Sequence, residues 1–179
     1  STTSCSVNPK QQRFLSVLAP LRVRLWRYVR LSVSGSEEDV RDVIQDTIVE
    51  AWESFDRLRS DQAALSWLFT IARRCAIRSA GRRARLVVLS PDQLPDIATA
   101  ASGPDLLTDT ALLLDALEKL SPMIRESIIL ADVLDMKLED VAITQGVSLS
   151  AVKSRVTRGR EQLKRILTDS PEQSEFHHD

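Results

Sequence analysis

The sequence is poor in the residues that build β-sheets and tight turns. Only 5 of its 179 residues are glycine, and aromatic side chains make up 4% of the chain. Leucine, alanine, arginine and isoleucine are abundant instead. This balance favours helix over sheet. The composition therefore predicts an all-α fold.

Residues with versatile side-chain chemistry are also scarce. The two cysteines, Cys5 and Cys75, lie far apart in the chain, which favours a reduced intracellular protein without a disulfide. The two histidines, His177 and His178, lie in a polar tail, and the chain has no glycine-rich phosphate loop. We therefore expect a protein that is not an enzyme and that uses no cofactor and no metal.

Long apolar runs are missing as well. No run approaches the roughly 18 residues that a membrane-spanning helix needs. The N-terminal residues lack the apolar core of a signal peptide. We expect a cytoplasmic protein that does not insert directly into a membrane.

Charge is unevenly distributed, although the formal net charge is only −1. No acidic residue lies between Asp61 and Asp92, and none lies between Asp140 and Glu161. The first segment contains Arg73, Arg74, Arg78, Arg82, Arg83 and Arg85, and the second contains Lys153, Arg155, Arg158 and Arg160. Two basic segments on a nearly neutral chain predict two places that contact a polyanion.

Apolar periodicity and turn residues divide the chain into two small helical domains. The first domain is predicted over residues 10–85 and the second over residues 105–168. Residues 86–104, "LVVLSPDQLPDIATAASGP", contain three prolines and no periodicity, which predicts a flexible linker. Residues 169–179 are a polar tail.

Breakers and caps predict three helical segments in the first domain. Pro20 kinks or divides the first segment. Ser36 is a plausible cap for the second. The third is expected to start near Ser66 and to end near Gly81.

The second of these helices carries an acidic face opposite its apolar stripe. The acidic face consists of Asp42, Gln45, Asp46, Val49 and Glu53. Such a face is usually only solvated. Val49 is an apolar residue among acids, however, and this is a mild indication of a protein partner.

The third helix combines a ring, a hydroxyl and cations on one side. This face of the third helix consists of Trp67, Thr70, Arg74 and Arg78. Unpaired bases stack on rings while arginines hold the backbone, so the mixture suits single-stranded nucleic acid. Alternatively Trp67 belongs to the core and the arginines are solvated, and this helix alone does not decide between the two.

The second domain contains the spacing of a helix-turn-helix. Ala142 is small where two helices approach, Gly146 suits a turn that needs a positive φ, and Ser148 can cap the next helix. Val152 is expected to pack inward. Lys153, Ser154, Thr157 and Arg158 are expected to face outward. A solvated basic face is the alternative, but the spacing favours insertion into a DNA major groove.

Three motifs in order resemble a known family. They are "EEDVRDVIQDTIVEAW", "SWLFTIARRCAIRSAGRR" and, after the linker, "LEKLSPMIRESIILADVLDMKLEDVAITQGVSLSAVKSRVTRGREQL". Together they resemble an extracytoplasmic-function sigma factor of bacterial RNA polymerase, over about residues 10–167. The resemblance implies a sigma2 helical bundle and a sigma4 helix-turn-helix domain, and recognition and melting of promoter DNA in transcription initiation.

The resemblance also implies partners and roles for individual residues. Core polymerase is contacted at the β′ clamp helices and the β flap, and the implied clamp-binding residues are Asp42, Gln45, Asp46, Val49 and Glu53. The implied residues for the minus-ten promoter element are Asp61, Ser66, Trp67, Thr70, Arg73, Arg74 and Arg78. Those for the minus-thirty-five element are Ser150, Lys153, Ser154, Arg155, Thr157 and Arg158. An anti-sigma factor is a further implied partner.

The chain departs from the family at three positions. Arg74 stands where members often have Asn, and Arg78 stands where Asp or Asn is common, so amide recognition of a flipped base is not predicted. Gly159 replaces a commoner Ala and costs roughly 1 kcal/mol of helix propensity. This predicts a recognition helix whose end frays without DNA.

A second function remains open from the residues alone. An autonomous helix-turn-helix regulator would bind duplex DNA without polymerase, at two half-sites. That reading leaves the acidic face of the second helix and the ring-and-cation face of the third helix without a role.

Overall fold

The computed structural model describes residues 8–89 and 107–168, and the chain divides into two compact units, Ser1–Ala98 and Thr99–Asp179. Every regular element within the described residues is helical, which confirms the predicted all-α class. The predicted tail and most of the predicted linker lie outside the described residues, as do Cys5 and both histidines.

The first unit contains four α-helices between residues 8 and 89, the part of it that the structure describes. They are α1 (Pro9–Leu18), α2 (Arg22–Ser32), α3 (Glu37–Ser54) and α4 (Ala64–Leu89). One 3-10 turn, Ala19–Leu21, contains Pro20 and separates α1 from α2, because proline cannot donate the next helical hydrogen bond. Two further 3-10 turns, Phe55–Arg57 and Asp61–Ala63, connect α3 to α4.

Helix α3 begins at a capping box. The backbone N–H of Asp39 donates to Ser36 Oγ at 3.2 Å, and the N–H of Ser36 donates to Asp39 Oδ2 at 2.8 Å. Both groups would otherwise lack a partner at the helix start. The predicted cap is confirmed.

The packing of α3 against α4 forms the centre of the first unit. Helix α3 buries Val40, Val43, Thr47 and Ala51. From α4 the core receives Leu68, Ile71, Ala72, Cys75 and Ser79, which are all buried. Burial of a side-chain stripe at helical spacing is what the apolar periodicity predicted.

Helix α4 is longer than the sequence suggested. It passes through Gly81 and ends at Leu89, so the prediction that Gly81 ends it is wrong, and residues 86–89 are helix rather than linker. An interior glycine costs only about 1 kcal/mol of helix propensity. The neighbouring arginines, alanines and leucine are good helix formers that offset this cost.

The second unit contains four α-helices and one π-helical turn within the described residues. These are α5 (Leu107–Glu118), α6 (Pro122–Ile128), the π turn Ile129–Val133, α7 (Leu138–Gln145) and α8 (Leu149–Thr168). Helix α8 packs against α5, α6 and α7. The buried core of the unit includes Leu117, Ile128, Leu130, Val141, Val152 and Val156.

The turn between α7 and α8 has the geometry expected of a helix-turn-helix. Gly146 has a φ of 66°, in the left-handed region that glycine adopts without steric cost. The N–H of Val147 then donates to the Ala142 carbonyl at 3.1 Å, which satisfies the end of α7. Ser148 Oγ accepts from the N–H of Ala151 at 3.2 Å and caps α8.

Gly159 permits a close approach between α8 and α6. A Cβ atom at this position would lie 2.5 Å from Ile128 Cγ1 and 2.9 Å from Ile124 Cγ2. Helix α8 continues past Gly159 to Thr168, so the predicted fraying at the glycine is wrong. The packing of the second unit compensates for the lower helix propensity of glycine.

We expect Gly159→Ala to destabilise the second unit by about 1–2 kcal/mol, because overpacking against Ile128 outweighs the gain in helix propensity. The matched control is Gly81→Ala, since a Cβ there meets nothing within 4 Å. That change is expected to stabilise the first unit by up to about 1 kcal/mol. Urea denaturation followed by circular dichroism measures both changes, and a stabilising effect of Gly159→Ala would contradict the packing argument.

Candidate polymerase and nucleic-acid interfaces

The acidic face of α3 is largely open to solvent. Asp42, Gln45 and Glu53 are exposed, and Val49 is 52% exposed. Asp46 is partly covered, because Arg82 donates to its carboxylate at 3.4 Å. Helix α3 therefore presents one apolar side chain among acidic and amide groups.

Trp67 on α4 belongs partly to the core. Its ring lies 6.2 Å from the ring of Phe55. Phe14 in turn contacts Phe55 and Trp52, with both ring separations at 5.2 Å. Since Trp67 is only half-buried, one part of the ring packs in this aromatic cluster and another part reaches the surface. The reading of Trp67 as a core residue is therefore right for part of the ring, and base stacking on this residue stays a prediction.

Two hydroxyl groups near the start of α4 bind backbone oxygens. Ser66 is only 6% exposed, and its hydroxyl donates to the Ala63 carbonyl at 3.4 Å. The Thr70 hydroxyl donates to the Ser66 carbonyl at 2.6 Å. The burial leaves little of Ser66 available to a ligand, whereas Thr70 remains half-exposed.

Arg74 and Arg78 are paired with an acid of the neighbouring helix. Glu50 of α3 lies 3.4 Å from Arg74 Nη2 through Oε1 and 2.7 Å from Arg78 Nη2 through Oε2. Burial by itself raises the pKa of Glu50, but the Arg78 hydrogen bond and the charges of both arginines outweigh it, so this pKa is lowered overall. Glu50 therefore stays ionised between two guanidinium groups.

Sequence reasoning missed Glu50. A signal for it was present, because Asp46 and Glu50 are four residues apart on α3, and Arg74, Arg78 and Arg82 are four apart on α4. Residues at this spacing share one side of a helix. Two such series could have been matched as an interhelical set of ion pairs.

The other predicted minus-ten residues also have partners or cover. Arg13 of α1 donates to the Asp61 carboxylate at 2.9 Å. Arg73 is partly buried and has an interaction of its own. Cys75 is buried, and burial raises the pKa of its thiol, so this side chain is part of the core.

Helix α8 places its polar and basic residues outside and its apolar residues inside. Val152 and Val156 are 0% and 3% exposed. Five of the residues predicted to contact the minus-thirty-five element are exposed and form the α8 face: Ser150, Lys153, Ser154, Thr157 and Arg158. This face has the cations and hydroxyl groups that contact phosphates and base edges in a major groove.

Arg155 differs from the other basic residues of α8, because it is half-buried and bound to α7. Its Nη1 donates to Gln145 Oε1 at 3.1 Å. Gln145 is 6% exposed, and its amide also binds Ser127 at 3.0 Å and Glu126 at 2.9 Å. Sequence reasoning missed Gln145, since a buried amide leaves no periodic signal.

Comparison with known proteins assigns both units. The sequence model of Sigma-70 region 2 matches residues 18–86, and that of Sigma-70 region 4 matches residues 110–163. RNA polymerase sigma factor CnrH of Cupriavidus metallidurans is 30% identical over 168 residues, which are 88% of this chain and 87% of CnrH. The chain belongs to the sigma-70 family, as an extracytoplasmic-function sigma factor. It directs promoter-specific transcription initiation by RNA polymerase.

Other relatives of this sigma factor agree. RNA polymerase sigma factor NccH of Alcaligenes xylosoxydans xylosoxydans is 30% identical over 141 residues, which are 75% of this chain and 76% of NccH. The solved structure of CnrH with the cytosolic domain of CnrY has a TM-score of 0.65 at 29% identity, over 89% of this chain and 90% of that one. Bartonella quintana RpoE, solved with the anti-sigma factor NepR, has a TM-score of 0.66 at 30% identity, over 92% and 99% of the two chains.

The comparisons separate the two functions that the residues left open. The relatives are named sigma factors, and both regions of a sigma factor are present in the expected order. The helix-turn-helix of the second unit therefore belongs to a sigma factor rather than to an autonomous regulator. Among the described residues, no group of acidic, cysteine or histidine side chains could hold a metal ion, and no helix could span a membrane.

The ion pairs of Glu50 make the stability of the first unit depend on pH. A carboxyl whose pKa is lowered by folding contributes stability that is complete above its ordinary pKa of about 4.5 and is lost as the pH falls through the lower folded pKa. We expect Glu50→Gln to lower the free energy of unfolding by about 1 kcal/mol at neutral pH. The difference in the free energy of unfolding between this variant and the wild type should shrink at acidic pH, because Glu50 of the wild type becomes protonated there.

Urea titrations at a series of pH values measure this difference. Glu53→Gln is the matched control, because it removes the same charge from an exposed position of the same helix. A difference between Glu50→Gln and the wild type that stays constant from neutral to strongly acidic pH would show that the ion pairs do not stabilise the fold.

Proposed function

We propose that the two units divide promoter recognition, with core-polymerase binding on α3 and DNA contacts on α4 and α8. The functional domains correspond to residues 10–85 and 105–168. One observation carries the proposal. Helices α3 and α8 each bury an apolar stripe, but the exposed side of α3 is acidic and the exposed side of α8 is basic. Since bacterial RNA polymerase works in the cytoplasm, the proposal implies that compartment.

The acidic face of α3 is proposed to bind the clamp helices of the polymerase β′ subunit. Exposed Val49 supplies apolar contact area, and the surrounding carboxylates suit a basic partner. The second unit is proposed to bind the β flap. An anti-sigma factor is a further proposed partner, as RpoE has been solved with the anti-sigma factor NepR. We propose that such a partner covers the same acidic face.

The α8 face is proposed to read the minus-thirty-five element in the major groove. Lys153 and Arg158 are long cations that can reach guanine acceptors, while Ser150, Ser154 and Thr157 can reach phosphates or base edges. Arg155 is proposed to contact a phosphate rather than a base, because its bond to Gln145 holds it against α7.

The α4 face is the side of that helix that carries Trp67, Thr70, Arg74 and Arg78. It is proposed to hold the unpaired strand of the minus-ten element. The exposed part of Trp67 supports stacking, and Arg74 and Arg78 support the backbone. Extruding a base costs a few kcal/mol, which these contacts must offset. Asp61 and Arg73 are proposed to border this strand.

Run-off transcription from a pooled promoter library tests the proposal. Purified bacterial core polymerase is used with and without the sigma factor, and the shared bases of the transcribed promoters define both elements. Transcripts that require the sigma factor support the proposal. Tight sequence-specific binding to duplex DNA by the free protein, without any transcript, would contradict it.

We expect Arg158→Ala to reduce transcription from these promoters by about tenfold or more, because one base-reading side chain contributes about 1–3 kcal/mol of discrimination. Its affinity for core polymerase, measured by fluorescence anisotropy, should not change. Lys164→Ala is the matched control, since it removes a charge from an exposed position of α8 outside the proposed face. Equal losses of polymerase binding and promoter recognition would contradict the division of labour.

We expect Val49→Asp to weaken core-polymerase binding by about tenfold, because a new carboxylate would be buried without a partner in the interface. The control is Val23→Asp on α2, where the side chain is 58% exposed, against 52% for Val49. Equal affinities of the two variants for core polymerase would exclude Val49 from the interface.

A further inference from the structure

Two charged series face each other across the α3–α4 contact. Arg74 and Arg78 of α4 lie within ion-pair distance of Glu50, at 3.4 Å and 2.7 Å, and Arg82 lies 3.4 Å from Asp46. The same α4 side is the proposed surface for single-stranded DNA. Part of its positive charge is therefore already matched by acids of the neighbouring helix.

Glu50 is held more firmly than an ordinary surface acid. Its side chain is 27% exposed, and each carboxylate oxygen serves a different arginine. Oε2 also lies 3.6 Å from the Cys75 thiol. Cys75 is buried, so its thiol contacts the carboxylate from the core side.

The two arginines remain accessible from outside. Their side chains are 58% and 52% exposed, which is enough for a phosphate to reach either guanidinium group. A phosphate that binds Arg74 or Arg78 must compete with a carboxylate that is already in place. Guanidinium groups pair with carboxylate and phosphate in the same two-pronged geometry.

We propose that Glu50 is a positioning residue that competes with nucleic-acid phosphate for Arg74 and Arg78. It holds both arginines against α3 in the free protein and yields them when a single strand lies on the α4 face. This inference rests on the proposed function of that face. It adds a residue that sets how strongly the face binds DNA in general.

Charge arithmetic gives the direction of the effect. Two guanidinium groups and one carboxylate carry a net charge of +1 rather than +2. The carboxylate also repels phosphate directly. Because the two arginines then neutralise fewer phosphates, fewer counterions are displaced from the DNA when a strand binds. Sequence-independent binding by the free protein is weakened, which leaves binding to depend on the contacts that polymerase and promoter add.

The test measures binding of a short fluorescein-labelled single-stranded DNA of mixed sequence by fluorescence anisotropy over a range of salt concentrations. Glu50→Gln keeps the shape of the side chain and removes its charge. We expect it to bind several-fold more tightly than the wild type at low salt. The slope of log K against log salt should steepen by about 0.7 for each arginine that gains a phosphate.

Three further variants make the result specific. Glu38→Gln removes an acid from an exposed position of α3, and it should bind as the wild type does. In the double variant Arg74→Ala/Arg78→Ala, adding Glu50→Gln should no longer raise the affinity for the oligonucleotide. The gain in affinity depends on those two guanidinium groups. Glu50→Met, which has similar length and no charge, repeats the test if circular dichroism shows that the glutamine variant is not folded.

The outcomes distinguish this inference from the proposed function. The proposed competition is wrong if Glu50→Gln binds the oligonucleotide no more tightly than the wild type. It is also wrong if Glu50→Gln raises the affinity no more than Glu38→Gln does. If the double arginine variant also transcribes normally with core polymerase, the α4 face itself is not the DNA surface. Loss of transcription in the double variant, without any gain from Glu50→Gln, overturns only the role of Glu50.

Discussion

The first unit depends on one contact, the antiparallel packing of α3 against α4. Small residues line its centre, and Ala51, Ala72 and Cys75 are each fully buried. Because these side chains are short, the two helix backbones approach closely. That approach brings Glu50 within reach of Arg78 at the edge of the contact. The apolar interior and the charged rim are thus two consequences of the same packing.

In the second unit, two glycines determine how the helices pack, one at a helix contact and one at a turn. Gly159 lets α8 lie against Ile128 of α6, and Gly146 reverses the chain between α7 and α8. The direction of α8 is fixed by both glycines together. Its exposed side is therefore held by the core, and the side chains proposed to read DNA need no ordering of the helix itself.

Charge in this sigma factor is organised locally rather than across the whole chain. The formal net charge of −1 conceals an acidic face on α3, basic side chains on α4 and a basic face on α8. Ion pairs between helical segments already neutralise some of these charges. Examples are the pair of Arg82 with Asp46 and the pair of Arg160 with Asp132. The proposed binding of a protein surface and two stretches of DNA benefits from this arrangement, because uniform positive charge would favour DNA of any sequence.

The sequence by itself determined the helical class, the buried stripes and the local turn chemistry. Val152 was predicted to be buried from spacing alone, and Gly146 and Ser148 were assigned from the requirements of a turn and a cap. Each of these depends on residues within about one or two helical turns. Only the tertiary structure decided that Gly159 admits Ile128. It also decided that Glu50 binds Arg78, 28 residues away, and that Gln145 holds Arg155. Those features arise where side chains from different helices meet, and neither propensity nor periodicity specifies the rotation of one helix against another.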